Sequence, residues 1–244
     1  VRGRAKVLYS DSTSSQVTDD SDKGVISYDT SGFTVGEPQN SSSHNNNGES
    51  LVGWAWKAGG NSNTFNIDGV GYATAAAAGL DGGAATPTGA SVNTKAGFSI
   101  LKYNGTAGES ISHGLSKAPE LTIEKELAQT TYWTVTTTAI DGSLDYLYLN
   151  TSDQKANYVV DLPTSSLVDI GRNNECIMYM WHSVPGYSKI GSYSGNGSSD
   201  GVYVNLGFKP AWLLVKRVIG SGNGWTIVCL LYTSDAADDE VRVD

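Results

Sequence analysis

The second half of the chain is a run of short apolar segments, and their spacing of about ten residues constrains the fold more than any other feature. The segments are rich in Val, Ile, Tyr and Trp, and Gly, Asn, Asp, Ser and Pro separate them. Between Lys95 and Val228 the candidates are FSILKY, LTIEK, YWTVTT, DYLYLN, YVVDL, LVDIG, CIMYMWHS, YSKIGSY, GVYVNLG, AWLLVK and WTIV. This pattern predicts an all-β chain of antiparallel β-sandwiches, of jelly-roll or concanavalin-like type.

An internal repeat spans the same region. The first copy begins GFSILKYNGTAG at Gly97, and the second begins GYSKIGSYSGNG at Gly186. The aligned positions are Gly97 with Gly186, Pro119 with Pro210 and Trp133 with Trp225, at offsets of 89, 91 and 92 residues. We therefore predict a folding unit of about 90 residues in which each proline precedes a strand and each tryptophan anchors the core.

Composition divides the rest of the chain. Residues 1–58 alternate apolar runs with polar loops, and these few strands are too short to close a core, so we interpret them as the C-terminal end of an upstream β domain. Residues 59–94 are rich in Gly, Ala, Ser and Thr and are predicted to be a linker. Residues 95–228 form the two-copy domain, with the second copy cut short.

The last segment, residues 229–244, breaks the preceding pattern. Its sequence CLLYTSDAADDEVRVD resembles the translation of a sequencing adapter, so we expect it to be non-native and the protein to continue beyond Val228 in nature. Cys176 is then the one native cysteine, which excludes a disulfide within the chain and predicts a core position for this residue.

Charge and hydropathy narrow the function classes. The formal net charge is −9, and no cluster of Lys and Arg stands out, which argues against binding to nucleic acid. No apolar run approaches the roughly 20 residues of a membrane-spanning helix. No heptad pattern favours a coiled coil, so the oligomeric state stays open.

Long ordered motifs resemble a domain of unknown function found in large structural proteins of bacteriophages, many of them marine. The motifs are GWAWKAGG, NTFNIDGVGYATA, KAGFSILKYNGTAGESISHGLSKAPELTI, YLYLNTS, MWHSVPGYSKIGSYSGNGSSDG and GFKPAWLLVKR. In such proteins the domain usually follows a concanavalin-type lectin sandwich, and residues 1–58 resemble the end of that sandwich. One departure is LTIEKELA, where relatives more often show an apolar run that ends in basic residues.

The resemblance implies a virion protein, associated with the phage tail and extracellular in the particle. Its expected partners are other virion proteins and host-surface glycans, and it implies no catalytic residue. The residues themselves agree, because no G-x-S-x-G nucleophile motif is present. The three histidines, His44, His113 and His182, lack the spacing of metal ligands, so we predict neither a metal nor another cofactor.

Two loops have compositions that suggest ligand binding. The DDSDKG loop, Asp19–Gly24, lacks the further oxygen ligands of a calcium site and is interpreted as a solvated turn. The GNGSSDG loop, Gly195–Gly201, misses both phosphate-loop patterns and is also interpreted as a turn.

Recognition residues are expected on loops, because loops carry function on rigid sandwiches. The candidate binding residues are Tyr193, Asn196, Ser198 and Asp200. Tyr203 is a further aromatic suited to stacking on a sugar ring, whereas Trp54, Trp56 and Trp212 are assigned to core packing or to a domain junction.

Three functions compete. The leading one is a non-enzymatic structural component of a phage tail or tail fibre that contacts host glycans. The second is a carbohydrate-binding module of a bacterial surface or secreted protein. The third is a polysaccharide depolymerase, which needs a facing pair of carboxylates that the sequence does not identify.

Overall fold

The structure, a computed structural model, describes residues 4–18, 24–36, 45–220 and 222–229, and these contain strands and turns but no helix. The first strands are β1 (Lys6–Val7), β2 (Val17–Thr18), β3 (Val25–Tyr28), β4 (Phe33–Val35), β5 (Phe65–Ile67), β6 (Val70–Tyr72), β7 (Pro87–Asn93), β8 (Phe98–Gly105) and β9 (Ser110–Ser112). The remaining strands are β10 (Leu121–Glu126), β11 (Thr134–Thr137), β12 (Asp145–Tyr148), β13 (Ala156–Asn157), β14 (Leu167–Asp169), β15 (Asn174–Trp181), β16 (Trp212–Lys216) and β17 (Trp225–Cys229). The predicted all-β class is confirmed.

The longest pairing in the sheet joins β15 to β8. It runs antiparallel from Asn174↔Gly105 to Trp181↔Phe98, and the other edge of β15 pairs with β10 from Glu126↔Cys176 to Leu121↔Trp181. Alternation along these strands directs Leu101, Tyr103 and Met178 to one face, where each is almost wholly buried. The central strands are therefore specified by period-two burial, as the sequence pattern predicts.

Nine strands form one mixed sheet around this centre. Their order is β13-β12-β11-β10-β15-β8-β7-β5-β6, and the pairing is antiparallel except between β5 and β7. The smaller sheets each contain two strands, β1-β2, β3-β4, β9-β14 and β16-β17.

A second layer covers one face of the large sheet. This layer contributes Ile111 of β9, Val168 of β14 and Leu80 of the loop between β6 and β7, which pack on the sheet residues of the core. The sheet side of this core consists of Ala90, Val92, Leu101, Tyr103, Cys176, Met178 and Met180. Two β layers around one core are consistent with the predicted β-sandwich, and the core position predicted for Cys176 is confirmed. The finer jelly-roll or concanavalin-like topology stays a prediction.

Residues 59–94 contain three strands of the large sheet, β5, β6 and β7, where their composition predicts a linker. Ala90 and Val92 are fully buried, because small side chains let the second layer approach this part of the sheet. The Ser91 hydroxyl also donates a part-buried hydrogen bond of 2.7 Å to Asn66 Oδ1. Small-residue composition here reflects close packing, and the assignment of these residues to a separate linker has no support in the strand order.

The two repeat copies share a hairpin but not the strands before it. Adding the repeat offsets of 91 and 92 residues to the β10-β11 pair Leu121↔Thr137 gives Trp212 and Cys229, which are paired in β16-β17. In contrast, residues 189–206 form no strand, although YSKIGSY and GVYVNLG predict two. Alternation alone does not make a strand when no neighbouring strand pairs with it. The repeat therefore stays a prediction beyond the hairpin.

The described part of residues 1–58 contacts the large sheet. The Gln16 N–H donates to the Leu127 carbonyl at 2.7 Å, and the Trp133 indole donates to the Tyr9 carbonyl at 2.9 Å. The boundary at residue 58 and the tail at residues 229–244 stay predictions, since only Cys229 of that tail is among the described residues.

Truncation of the two repeat tryptophans is expected to separate their roles. Trp133 is 5% exposed and its indole N–H is hydrogen bonded, so Trp133→Ala should lower the free energy of unfolding by about 3–5 kcal/mol. Trp225 is only partly buried, although its indole also donates to a carbonyl, that of Tyr148, at 2.9 Å. Trp225→Ala should therefore cost roughly half as much. Urea denaturation of both variants checks this order, and equal losses would contradict it.

Candidate functional site

The loop nominated from the sequence is a turn closed on itself. The Asn196 side chain donates to the Asp200 carbonyl at 2.9 Å and accepts from the Ser198 N–H at 3.1 Å. The Asp200 N–H in turn donates to Ser198 Oγ at 3.1 Å. All of these residues are exposed, and Tyr193 is 56% exposed. The polar atoms of this loop thus serve the turn itself, and a role in binding stays a prediction.

Three of the six tryptophans, Trp56, Trp181 and Trp212, make ring contacts with aromatic neighbours. Trp56 makes edge-on contacts with Trp181 and Trp212, with ring centroids 6.4 Å and 5.5 Å apart. These contacts join Trp56 to Trp181 of the large sheet and to Trp212 of β16, whereas Trp54 is 42% exposed. The domain junction stays a prediction. Tyr203, in contrast, is 87% exposed.

Of the two histidines in the described part of the chain, His113 is a core residue. It is fully buried, its Nδ1 accepts from the Leu115 N–H at 3.0 Å, and its Nε2 lies 3.2 Å from the Thr164 carbonyl. Burial lowers the pKa of His113 below its ordinary value. The neutral ring therefore fixes the turn after β9. His44 and Asp19–Lys23 lie outside the described residues.

An open pocket lies beside the second of these histidines, His182, at the end of β15. Its cavity volume is about 450 Å³. The lining residues come from three segments: Lys117, Ala118 and Glu120; His182, Ser183, Pro185, Ser188 and Lys189; and Asn205, Leu206 and Gly207. The first and third segments lie at the glycine-proline corners that the sequence assigns to the two predicted repeat copies.

Backbone and side-chain bonds of Glu120 hold two of these segments together. The Glu120 N–H donates to the Trp181 carbonyl at 2.8 Å, and the Glu120 carboxylate accepts from the Ser183 N–H. This second bond joins an ionised acceptor to a backbone donor, which is stronger than a bond between neutral groups. The corner before β10 is therefore tied to the loop after β15.

The other two walls are short turns. Val184 and Ser188 exchange backbone hydrogen bonds of 3.0 Å and 2.9 Å, which closes the loop around Gly186. Asn205 Oδ1 accepts from the Gly207 N–H at 3.0 Å, and Gly207 has a φ of +79° that favours glycine. The lining residues are thus set by local turns on a rigid sheet, an arrangement suited to ligand binding.

His182 lines the pocket and packs on Gly97. It is 4% exposed, its ring Nδ1 lies 2.9 Å from the Ser183 carbonyl, and its backbone N–H donates to the Gly97 carbonyl at 3.0 Å. A Cβ at residue 97 would lie 2.7 Å from the His182 carbonyl oxygen and 2.9 Å from Nδ1. The repeat singles out Gly97, but only the structure shows that the missing side chain makes room for His182.

A second group of titratable residues is sealed inside the core. Tyr103 donates a hydrogen bond to Glu124 Oε1, which also accepts from the Gly171 N–H at 3.1 Å. Burial raises the pKa of Glu124 and of Tyr103, and it raises the pKa of Cys176 to about 12. Because these groups are buried beneath the second layer, we assign them to packing and not to a ligand site.

Four tyrosines cover the neighbouring part of the same sheet face. The ring contacts are Tyr132–Tyr148 at 4.5 Å, Tyr146–Tyr148 at 5.5 Å and Tyr146–Tyr158 at 5.6 Å. The Arg172 guanidinium lies beside them and donates to Thr134 Oγ1 at 2.6 Å. Burial raises the pKa of Tyr158 to about 12. The rings pack mainly on one another, so this surface belongs to the sheet.

The pocket residues were not nominated from the sequence. The sequence did contain a signal for this site, because charged residues, Lys117 and Glu120, lie on either side of Pro119. A corner that serves folding alone does not require such charges. The approach of these two residues to His182 is a consequence of the β10–β15 pairing, whereas Asn205 reaches the pocket from a segment without strands. Among the described residues, no three His, Cys, Asp or Glu side chains are grouped so that they could hold a metal ion.

Comparison with known families gives one match. A family model described as a domain of unknown function (DUF7483) covers residues 1–230. This match ends close to residue 229, where the adapter-like tail is predicted to begin. The comparison with curated proteins and the comparison with solved structures gave no match.

Alanine at Gly97 is expected to damage the pocket lining at His182. Both Gly97 and Gly186 have positive φ, +61° and +74°, but a Cβ at Gly186 meets nothing within 4 Å. Gly186→Ala should therefore cost only the backbone strain, about 1–2 kcal/mol. Gly97→Ala adds a clash with His182 and should cost about 2–5 kcal/mol. Thermal or urea unfolding of both variants checks the difference, and equal costs would contradict the assigned contact.

Replacement of Glu124 is expected to change how stability depends on pH. Because the pKa of Glu124 is raised in the folded state, folding takes up a proton, and the free energy of unfolding falls as pH rises through and above the ordinary glutamate range. Glu124→Gln keeps an oxygen acceptor and cannot ionise. In this variant the loss of unfolding free energy between low and high pH should be smaller, by about 1.4 kcal/mol for each unit by which the pKa of Glu124 is raised.

Urea denaturation between about pH 4 and pH 8 measures this dependence, a window that starts near the ordinary glutamate pKa. Glu175→Gln is the matched control, because Glu175 is an exposed carboxylate 2.6 Å from Lys102 and should leave the dependence largely in place. An unchanged pH dependence in Glu124→Gln would contradict the raised pKa of Glu124, and the hydrogen bonds from Tyr103 and Gly171 together with the Arg172 charge would then offset the burial.

Proposed function

The chain belongs to the family described as a domain of unknown function (DUF7483), and from this premise we propose that it is a non-enzymatic structural component of a bacteriophage virion. We place it in the tail or tail fibre, where it contacts glycans of the host surface. Support for the virion comes from the motifs that resemble phage structural proteins. Support for glycan contact comes from the pocket at the end of β15.

The pocket is the single observation that carries the glycan role. Sugar hydroxyls both donate and accept hydrogen bonds, and the lining offers the amide of Asn205, the carboxylate of Glu120 and the hydroxyl of Ser188. Tyr187 precedes the lining residue Ser188 in the sequence, is not itself part of the lining, and is 56% exposed. Its ring offers the kind of surface on which a sugar stacks.

The fold supports a structural role alongside binding. Nine strands pair into one sheet, and a second layer closes its core, so the loops at the end of β15 rest on a rigid scaffold. None of the described residues belongs to a helix that is long and apolar enough to cross a membrane.

A carbohydrate-binding module of a bacterial surface or secreted protein is the second candidate, since the same pocket would serve it. A depolymerase is less favoured. Glycosidases use two facing carboxylates, and Glu120 is the one carboxylate among the lining residues of the described pocket.

The virion role is tested in purified particles. Mass spectrometry of virions from a phage that encodes this chain should detect its peptides at a level comparable with known tail proteins. A chain found only in the lysate and absent from washed particles would contradict the virion role and favour the second candidate.

The glycan role is tested with two matched asparagine variants. Asn205 lines the pocket and Asn196 lies in the sequence-nominated turn, and each accepts one hydrogen bond from the N–H two residues later, at 3.0 Å and 3.1 Å. On a glycan array followed by calorimetry, Asn205→Ala should weaken binding about tenfold, as expected for the loss of a hydrogen bond in a site. Asn196→Ala should leave binding unchanged.

The opposite outcome, weakened binding in Asn196→Ala alone, would move the site to the turn at residues 195–201. Absence of binding to any sugar by the folded wild-type chain would contradict the glycan role altogether.

A further inference from the structure

Two lysines line the pocket without a partner of their own. Lys117 lies in the corner before β10, and Lys189 follows the turn around Gly186. Both are exposed, and within the described part of the chain neither ammonium group makes an ion pair or a hydrogen bond. They come from positions 72 residues apart in the sequence and are brought to one cavity by the pairing of β10 with β15.

Three other lysines of this chain have partners. Lys102 pairs with Glu175 at 2.6 Å, and Lys155 lies between Asp141 and Asp145 at 2.7 Å and 2.9 Å. Even the fully buried Lys125 donates to the carbonyls of Glu126 and Gln129, at 2.8 Å and 3.1 Å. Lys57 and Lys95 are also exposed and show no ion pair among the described residues, so what sets Lys117 and Lys189 apart is that both line one pocket.

Glu120, the one acidic residue of the lining, is already hydrogen bonded. The Glu120 carboxylate accepts from the Ser183 N–H and so fixes the pocket wall. With two lysines and one glutamate, the ionised side chains of the lining carry a formal charge of +1, opposite in sign to the chain as a whole. A ligand that brings its own negative charge gains local attraction here, although the chain as a whole is acidic.

We propose that this pocket binds an anionic sugar, with Lys117 and Lys189 pairing to its carboxylate or sulfate and Asn205 contacting its hydroxyls. The inference rests on the proposed glycan role and adds the charge of the ligand. An ammonium group brings three donors, and ammonium-to-anion hydrogen bonds are stronger than neutral ones. The acidic group, and not the ring alone, then selects the ligand.

The test compares sugars that differ only in the acidic group. The full chain is titrated with methyl glucuronoside, methyl glucoside 6-sulfate and the neutral methyl glucoside, and binding is followed by ¹⁵N-labelled NMR. We expect both anionic sugars to bind at least about tenfold more tightly than the neutral one, as for a charge-assisted contact. Backbone signals of residues 117–120, 182–189 and 205–207 should move together. Preference for one anion identifies the natural acidic group.

Lysine variants supply the matched control. Lys117→Gln and Lys189→Gln keep a polar side chain and remove the charge, and each should weaken glucuronoside binding about three- to tenfold with glucoside binding unchanged. Lys57→Gln alters an exposed lysine outside the pocket lining and should change neither. Because all three lysines are exposed, the variants should unfold at the wild-type temperature.

Two results would overturn the inference in distinguishable ways. Equal affinity for the neutral and anionic sugars, insensitive to both lysine substitutions, would refute the charge selectivity and leave the glycan role standing. No chemical-shift change with any sugar, in a chain whose spectrum shows it folded, would refute the glycan role and the inference with it.

Discussion

The pairing of β15 with β8 on one edge and β10 on the other is the interaction on which the rest of the structure depends. It joins residues about 75 and 55 positions apart in the chain over eight and six residue pairs, respectively. Such long-range pairing carries a cost in chain entropy that only extensive burial offsets. Here the burial of Leu101, Tyr103 and Met178, which the register places under the second layer, compensates this entropy cost.

The same register explains why the core is polar at one side. Glu124 of β10 pairs with Met178 of β15, which places a carboxyl on the face that Tyr103 shares. A buried carboxyl without partners would be costly, and here the Tyr103 hydroxyl and the Gly171 N–H satisfy it. One face of the sheet thus passes from aliphatic packing near β7 to tyrosines and hydrogen-bonded carboxyls near β11.

The pocket is the other consequence of this pairing. Where β10 pairs with the end of β15, the corner that carries Lys117 and Glu120 lies next to His182. Because Gly97 has no side chain, the His182 imidazole fits against its backbone. Asn205 of the predicted second copy lines the same pocket from a turn, and residues 189–206 around it form no strand. The pocket thus combines a strand end of the large sheet with turns that lie far away in the chain.

The sequence by itself determined the all-β class, the central strands and the buried position of Cys176, since period-two burial is written in each strand. It also indicated the shared hairpin through the aligned Trp133 and Trp225. Only the tertiary structure decided that residues 59–94 join the sheet and that residues 189–206 do not form strands. Strands exist only with a partner, and the partner is chosen by contacts between distant segments that no local pattern records. The pocket also depends on the tertiary structure, because Lys117 and Lys189 line it from segments next to the paired strands β10 and β15 and not from one stretch of the chain.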